Sequence, residues 1–476
     1  MNDLLLRRVP AVARCLPWWA LVLAGCASFS PDGGAGRVAE LTQERTGLAS
    51  TYQRTAGDVD TARARIAELL KQPLTADSAV ELAYLNNRGL QASFSELGIA
   101  ESELVRAGRL RNPSFGFGRL REAGGVVEIE RSVMFDVLGL LTLPVASQVE
   151  QRRFAQAQLQ AAHEAVGIAV ETRRAYFSAV AAQELVKYYE QVKDAADASN
   201  ELARRMLQVG NFSKLAQMRE QAFYADATAQ LARARHQALA ERERLTRWLG
   251  LSGDQLGFTL PERLPDLPME PVEPRDADQT AMDKRLDVLM AKQAAEHTAR
   301  SLGLTRATRF VNVLELGYQN KSVTGEPRAN GYEIELELPL FDFGSTRAAR
   351  AEATYMQAVH RAAQVAVDAR SEVREAYSAY RTTYDLARHY RDEVVPLKKR
   401  ISEENLLRYN GMLISVFELL ADARQQVTSV TGYVEALRDF WIAQTNLQTA
   451  LTGRSPGAGF AIRSSASAAP AEGGGH

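Results

Sequence analysis

Along most of this chain apolar residues recur at alternating spacings of three and four, the period of an amphipathic helix; in four short stretches the period drops to two, that of a strand. The longest helical pattern runs from about residue 345 to 410, where Val373, Tyr377, Tyr380, Tyr384 and Ala387 make a narrow apolar seam on an otherwise charged helix. At about 1.5 Å of rise per residue such a helix is roughly 100 Å long, too long for a compact domain, so it predicts helical neighbours along the seam. Asn410-Gly411 supplies a turn, and a return helix from Met412 to about Leu451 ends at Gly453, placed as a C-cap glycine. Pro396 falls inside the outgoing helix and predicts a kink or break there.

The same order of elements occurs once before. A helical segment over about 38–70 precedes a second over about 74–110, opened by the capping residues Thr75, Asp77 and Ser78 and closed by Asn112-Pro113. Residues 114–120 and 126–135 flank Arg121-Glu122-Ala123-Gly124-Gly125 as a β-hairpin. Beyond Leu143-Pro144 a long helix begins near residue 147 and reaches a turn at Gly210-Asn211; its return over 213–249 is capped by Gly250. Pro261, Pro265, Pro268, Pro271 and Pro274 then forbid continuous helix. After them a helix over 283–305, strands over 310–319 and 332–341, and the long hairpin repeat the series. Ala175-Tyr176 matches Ala376-Tyr377 and Gly210 matches Gly411, each about 201 residues on, while Ser213 and Ser415 slip by one. This is an internal duplication.

The last strand sorts cleanly: Tyr332, Ile334, Leu336, Leu338 and Leu340 face one way, and Glu333, Glu335, Glu337 and Pro339 the other. A small antiparallel sheet on a water-soluble domain accounts for one such strand equally well. Strands that span a bilayer must instead close into a barrel, because hydrocarbon satisfies no backbone group, and four strands cannot close one. On that reading several chains must contribute four strands each.

The N-terminus favours the membrane. Arg7, Arg8 and Arg14 precede an apolar run over 15–23, too short to span as a helix, and Leu23-Ala24-Gly25-Cys26 closes it. The tetrapeptide resembles the lipobox of bacterial lipoproteins, which implies a signal peptide over 1–25 and acylation of Cys26. Ala27 after that cysteine favours the outer membrane on the same resemblance. Cys15 would leave with the signal, so the mature chain could form no internal disulfide. Residues 28–36 read as a Ser/Gly-rich tether, within an N-terminal tether and helix over 26–73. The first repeat then covers 74–250, a Pro-rich linker 251–278, the second repeat 279–453 and a disordered tail 454–476. The net charge of -1 over 476 residues gives no pull toward nucleic acid.

With these features assembled, the chain resembles the TolC family of outer-membrane efflux channels, in its lipoprotein branch. The resemblance rests on Leu338-Pro339-Leu340-Phe341-Asp342-Phe343-Gly344 leading into an Ala/Arg-rich helix, on Arg408-Tyr409 before the turn, on Leu419-Leu420-Ala421 after it, and on the duplication. It implies a mainly α fold with a small transmembrane β part, and a homotrimer with a 12-stranded β-barrel above a 12-helix periplasmic α-barrel. It further implies docking on a periplasmic adaptor protein and an inner-membrane transporter, and contact with outer-membrane lipid. Gly210, Ser213, Gly411 and Ser415 are the expected tip and adaptor-contact residues, Glu418 the expected tip gate, and Glu333, Glu335 and Glu337 the expected barrel-lumen residues. In the family's tip pattern glycine stands four residues after the arginine of the Arg-Tyr pair, and here Gly411 comes one residue early. A second tip carboxylate, present in some members, is Ala421 here.

No enzymatic constellation accompanies this pattern. His163-Glu164 opens like a zinc-protease helix, but Gly167 stands where the second histidine must be, so His163 reads as a surface residue. Gly116-Phe117-Gly118 lacks the Gly-Lys of a phosphate loop. The expectation is a passive conduit, not an enzyme, with no cofactor or metal. Two alternatives stand beside it: a lipid-anchored periplasmic coiled-coil protein without a pore, and the outer-membrane channel of a protein-export system.

Overall fold

The computed structural model describes residues 28–308, 313–337, 341–414 and 416–457. Outside the described residues lie the expected signal peptide and Cys26, residues 310–312 and 338–340 of the expected strands, Ser415, and the tail from residue 458.

Helix α1 (Ala35–Thr46) precedes α2 (Ala56–Leu69), which opens with a reciprocal cap between Thr55 and Asp58. The same device at Thr75 and Ser78 opens α3 (Ala76–Asn86), which is followed by α4 (Arg88–Ala107). Strands β1 (Ser114–Arg121) and β2 (Val127–Asp136) run into α5 (Val137–Gln208), a single helix of 72 residues. The return helix α6 (Lys214–Leu249) starts at Ser213, whose Oγ accepts from the Ala216 N–H at 3.1 Å, and ends at Gly250 with φ of 68°. An extended linker leads to α7 (Ala277–Lys284), and the series recurs as α8 (Leu286–Ala307), β3 (Val313–Val323) and β4 (Ala329–Glu337). It closes with α9 (Ser345–His389), a π-helical turn (Tyr390–Val394), α10 (Val395–Asn410) and α11 (Val416–Thr452).

Several elements differ from the sequence reading. The helix expected over 38–70 is two helices, and those expected over 74–110 and 283–305 correspond to pairs that change direction at Asn87 and Arg285, both extended. The breaks at Asn87 and Arg285 each close onto the end of their own repeat's return helix. Asn86 Nδ2 donates to the Gly250 carbonyl at 2.7 Å and Asn87 Nδ2 to that of Trp248 at 3.0 Å, while the Leu286 N–H donates to the Gly453 carbonyl at 2.8 Å. Helix α5 starts at Val137 rather than near 147, because Asp136 caps it by accepting from the Gly139 N–H at 2.6 Å, and it continues through Pro144. Gly453 is not a left-handed cap; a Cβ there would lie 2.9 Å from Val166 Cγ1, so close approach of α5 is what calls for glycine. Ahead of Pro396 the helix is not cut: the Val395 N–H reaches back to Tyr390, giving one wider turn.

The chain divides into two compact units. Unit one takes the described residues of Met1–Arg37 with Phe94–Gln160 and Met290–Ala363, and unit two takes Val38–Ser93, Ala161–Leu289 and the described residues of Gln364–His476. The tyrosine seam of α9 lies in the core of unit two. Tyr380 and Tyr384 meet Phe440 of α11 at ring-centroid distances of 5.6 and 5.7 Å, and Trp441 stacks on Phe177 of α5 at 5.5 Å. The proline linker, not only a helix, covers this seam. Tyr384 Oη donates to the Met269 carbonyl at 2.7 Å, the Val272 N–H donates to Tyr380 Oη at 2.9 Å, and Trp441 Nε1 donates to the Pro265 carbonyl at 3.0 Å. The linker's carbonyls, left free by its prolines, thus find side-chain donors.

Arg285, 1% exposed, is held by Asp287 at 2.8 Å, by Glu372, and by the Ala369 carbonyl at 3.3 Å. Ser455 Oγ donates to the same Glu372 at 2.6 Å and the Ser455 N–H to Asp287 at 3.1 Å. The first residues of the tail expected to be disordered are therefore docked. Nearby, His163 is half-buried rather than at the surface, and its Nδ1 has no hydrogen-bond partner among the described residues. Burial, and then the Arg454 charge, push its imidazole below the usual histidine range.

Candidate membrane sheet and helical tips

In unit one the strands form one antiparallel sheet in the order β1-β2-β3-β4, so the two repeats join where β2 pairs with β3. Directly opposed residues share a face, and the register sorts the sheet into two chemically different sides. One side carries Phe115 opposite Val133, Val133 opposite Tyr318, and Tyr318 opposite Tyr332. Next to that row, Phe135 opposes Leu316 and Leu316 opposes Ile334, while Leu314 opposes Leu336. These side chains are largely exposed, Tyr332 to 82% and Phe115 to 68%. Leaving each large apolar side chain in water forgoes about 2 kcal/mol, so a row of them marks a surface made for an apolar neighbour. Toward the hairpin ends that side turns polar: Arg131 Nη1 donates to Asn320 Oδ1 at 3.0 Å, and Asn320 Nδ2 to Asn330 Oδ1 at 2.7 Å.

The other side is acidic. Glu333, Glu335 and Glu337 all lie on it, exposed along β4. The register adds residues that sequence reading did not single out. Asp136 lies opposite Glu315, and Glu315 opposite Glu335, a row of three carboxylates across three strands. Glu128 and Glu130 share the side and are both met by Lys321, the latter at 3.4 Å. Gln319 Nε2 donates to Glu333 at 2.5 Å. The alternation of Glu128 and Glu130 in β2 was visible in the sequence; the pairing of β2 with β3 that gathers all of these was not. Among the described residues, β1 and β4 each pair on one side only, leaving two open edges.

The tips of the two long hairpins lie in unit two. At the first, the Asn211 N–H donates to the Met206 carbonyl at 2.9 Å and Gly210 has φ of 79°. At the second, the Leu413 N–H donates to the Arg408 carbonyl at 2.8 Å, and the left-handed residue is Met412, with φ of 58°. Gly411 sits at φ of -80°. Met412, not Gly411, is thus the geometric counterpart of Gly210, and with an offset of 202 residues Ser213 and Ser415 match without a slip. The offset at Tyr176 and Tyr377 is 201; the π-helical turn between them and the tip carries one residue more than an α turn and accounts for the difference. Glu418 stands exposed in the first turn of α11, and Val209, Leu407, Met412 and Leu413 are exposed around the tips.

Solved structures share this fold. The chain is similar to CusC, studied for folding and transmembrane channel formation, with 16% identity and a TM-score of 0.67 over 79% of this chain and 92% of that one. It is also similar to the outer-membrane channel OprN, with 17% identity and a TM-score of 0.66 over 87% and 95%, and to the CmeC outer membrane channel of Campylobacter jejuni, with 14% identity and a TM-score of 0.63 over 89% and 92%. The chain has the fold of these outer-membrane channels. No family model matches the sequence, and no curated protein matches it. Within the outer-membrane channel fold, the helical hairpins and the four strands per chain are as the periodicity of the sequence led one to expect. Among the described residues no helix is long and apolar enough to cross a membrane.

Proposed function

We propose that this chain is one subunit of a trimeric outer-membrane channel, a passive conduit from periplasm to exterior. The observation that carries the proposal is the sheet: one exposed apolar side, one acidic side and two open edges, in a chain with the fold of outer-membrane channels. Pairing β1 of one copy with β4 of the next satisfies both edges, and three copies supply twelve strands. The apolar side then faces lipid, and Glu333, Glu335 and Glu337 line the lumen with Glu315 and Asp136. Cys26 carries the acyl anchor after removal of residues 1–25. The tips around Gly210, Ser213, Met412 and Ser415 dock on a periplasmic adaptor, and an inner-membrane pump spends the energy and selects the cargo. Glu418 narrows the closed end. A pore-free coiled-coil protein would have no use for the exposed apolar side of the sheet.

Planar-bilayer recording tests the conduit. The wild type is expected to conduct with a preference for cations, because threefold repetition turns the carboxylates into rings. Replacing Glu333, Glu335 and Glu337 together by Gln should lower that preference; an unchanged reversal potential would remove those residues from the lumen.

A further inference from the structure

The residues expected to form a loose tether do not behave as one. Within unit one, Ser30 is gripped by a single carboxylate: Glu101 Oε1 of α4 accepts from the Ser30 N–H at 2.6 Å and from Ser30 Oγ at 2.5 Å. Glu101 is only 4% exposed. A carboxylate taken out of water needs donors in return, and here the N-terminal segment provides them. Two more braces follow. Asp32 accepts from the Gly34 N–H at 3.1 Å and the Gly36 N–H at 2.8 Å, which sets the turn into α1 and holds its carboxyl below the usual range. Gln158 Nε2 of α5 donates to the Gly34 carbonyl at 3.1 Å, and Gly34, with φ of 78°, lies so close to Phe154 that a Cβ would fall 2.5 Å from its ring. A flexible linker has no reason to donate to a buried acid of a neighbouring helix and to carry a glycine fitted under an aromatic ring.

The geometry points to Glu101 as the positioning residue of the lipid anchor: it makes residues 28–36 a fixed strut, so that acyl chains on Cys26 enter the leaflet beside this subunit's own sheet. Cys26 precedes Ser30 by four residues, which confines it to within about 14 Å of the clamp. Helix α4 ends six residues beyond Glu101, just ahead of β1, so the clamp stands on the element that leads into the sheet. The inference rests on the acylation of Cys26 proposed above. An anchor held in this way ties the lipid to one place on the wall instead of letting it wander over a flexible span.

Two measurements on the full-length protein separate the inference from the reading beneath it. Intact mass reports whether Cys26 is acylated; an unmodified cysteine sinks the lipoprotein reading itself. Hydrogen exchange over residues 28–36 reports the clamp whether or not lipid is attached. Exchange there should be slow in the wild type and speed up about tenfold or more in Glu101→Ala, with the strands unchanged. A bimane on Ser28→Cys, in vesicles of phosphatidylethanolamine with bromine near the headgroup end of the acyl chain, then reads position. Quenching should be strong with Glu101 present, fall by about half in Glu101→Ala, and be largely kept in Glu101→Gln, whose amide oxygen still accepts from Ser30. Equal exchange and equal quenching in wild type and Glu101→Ala would overturn the inference.

Discussion

Met412 holds a left-handed backbone at the end of the second hairpin, 93% exposed, with Gly411 beside it in a conformation any residue adopts. The sequence invites the opposite assignment, since glycine is the residue that enters this region without strain. Met412→Gly should therefore raise stability by about 1 kcal/mol, Gly411→Ala should change little, and Gly210→Ala should lower it by about 1 kcal/mol. Denaturant titration of the three variants checks this, and a loss in Met412→Gly would contradict the tip geometry. His163 makes a second residue-scale case. Its folded pKa is depressed below the unfolded value of about 6.5, so the unfolded chain binds the extra proton first and stability is lost as pH falls below about 6.5. Thermal midpoints should drop between pH 7 and pH 5.5 in the wild type and drop less in His163→Gln. Its surroundings could not be seen from the sequence, because the charge that adds to the effect of burial is that of Arg454, nearly three hundred residues away.

Among the elements, the π-helical turn shows how a duplicated chain absorbs one extra residue. The ring of Tyr390 lies over Gly432 of α11, where a Cβ would come within 2.9 Å of its hydroxyl and 3.0 Å of two ring carbons. Gly432→Ala should cost about 1–3 kcal/mol by forcing the ring aside, and the cost should shrink in the double variant with Tyr390→Ala; additive effects in a double-mutant cycle would contradict the contact. The long helices, the hairpin turns and the tyrosine seam were legible because each repeats a local period over many residues. The breaks at Asn87 and Arg285 were not, because what stabilises them is the far end of the return helix. Pro144 misled in the same way: the start of α5 is fixed by the Asp136 cap, and the helix continues past the proline with the loss of one N–H.

For the whole molecule the deciding feature is a four-stranded sheet with two open edges among the described residues. Its alternation was readable along β4, residue by residue, while the carboxylate row from Asp136 through Glu315 to Glu335 required the register between repeats. That row places like charges side by side, an arrangement a sheet tolerates when water covers it, and the opposite side has the composition of a surface that water does not cover. Both conditions are met if copies of the chain close a wall around an aqueous lumen. The most direct test is the mass of the particle formed by chain released from its acyl anchor by proteolysis ahead of Ser28 and kept in mild detergent. The account predicts three chains carrying a belt of detergent, which aggregate when the detergent is withdrawn. A water-soluble monomer that binds no detergent would contradict it.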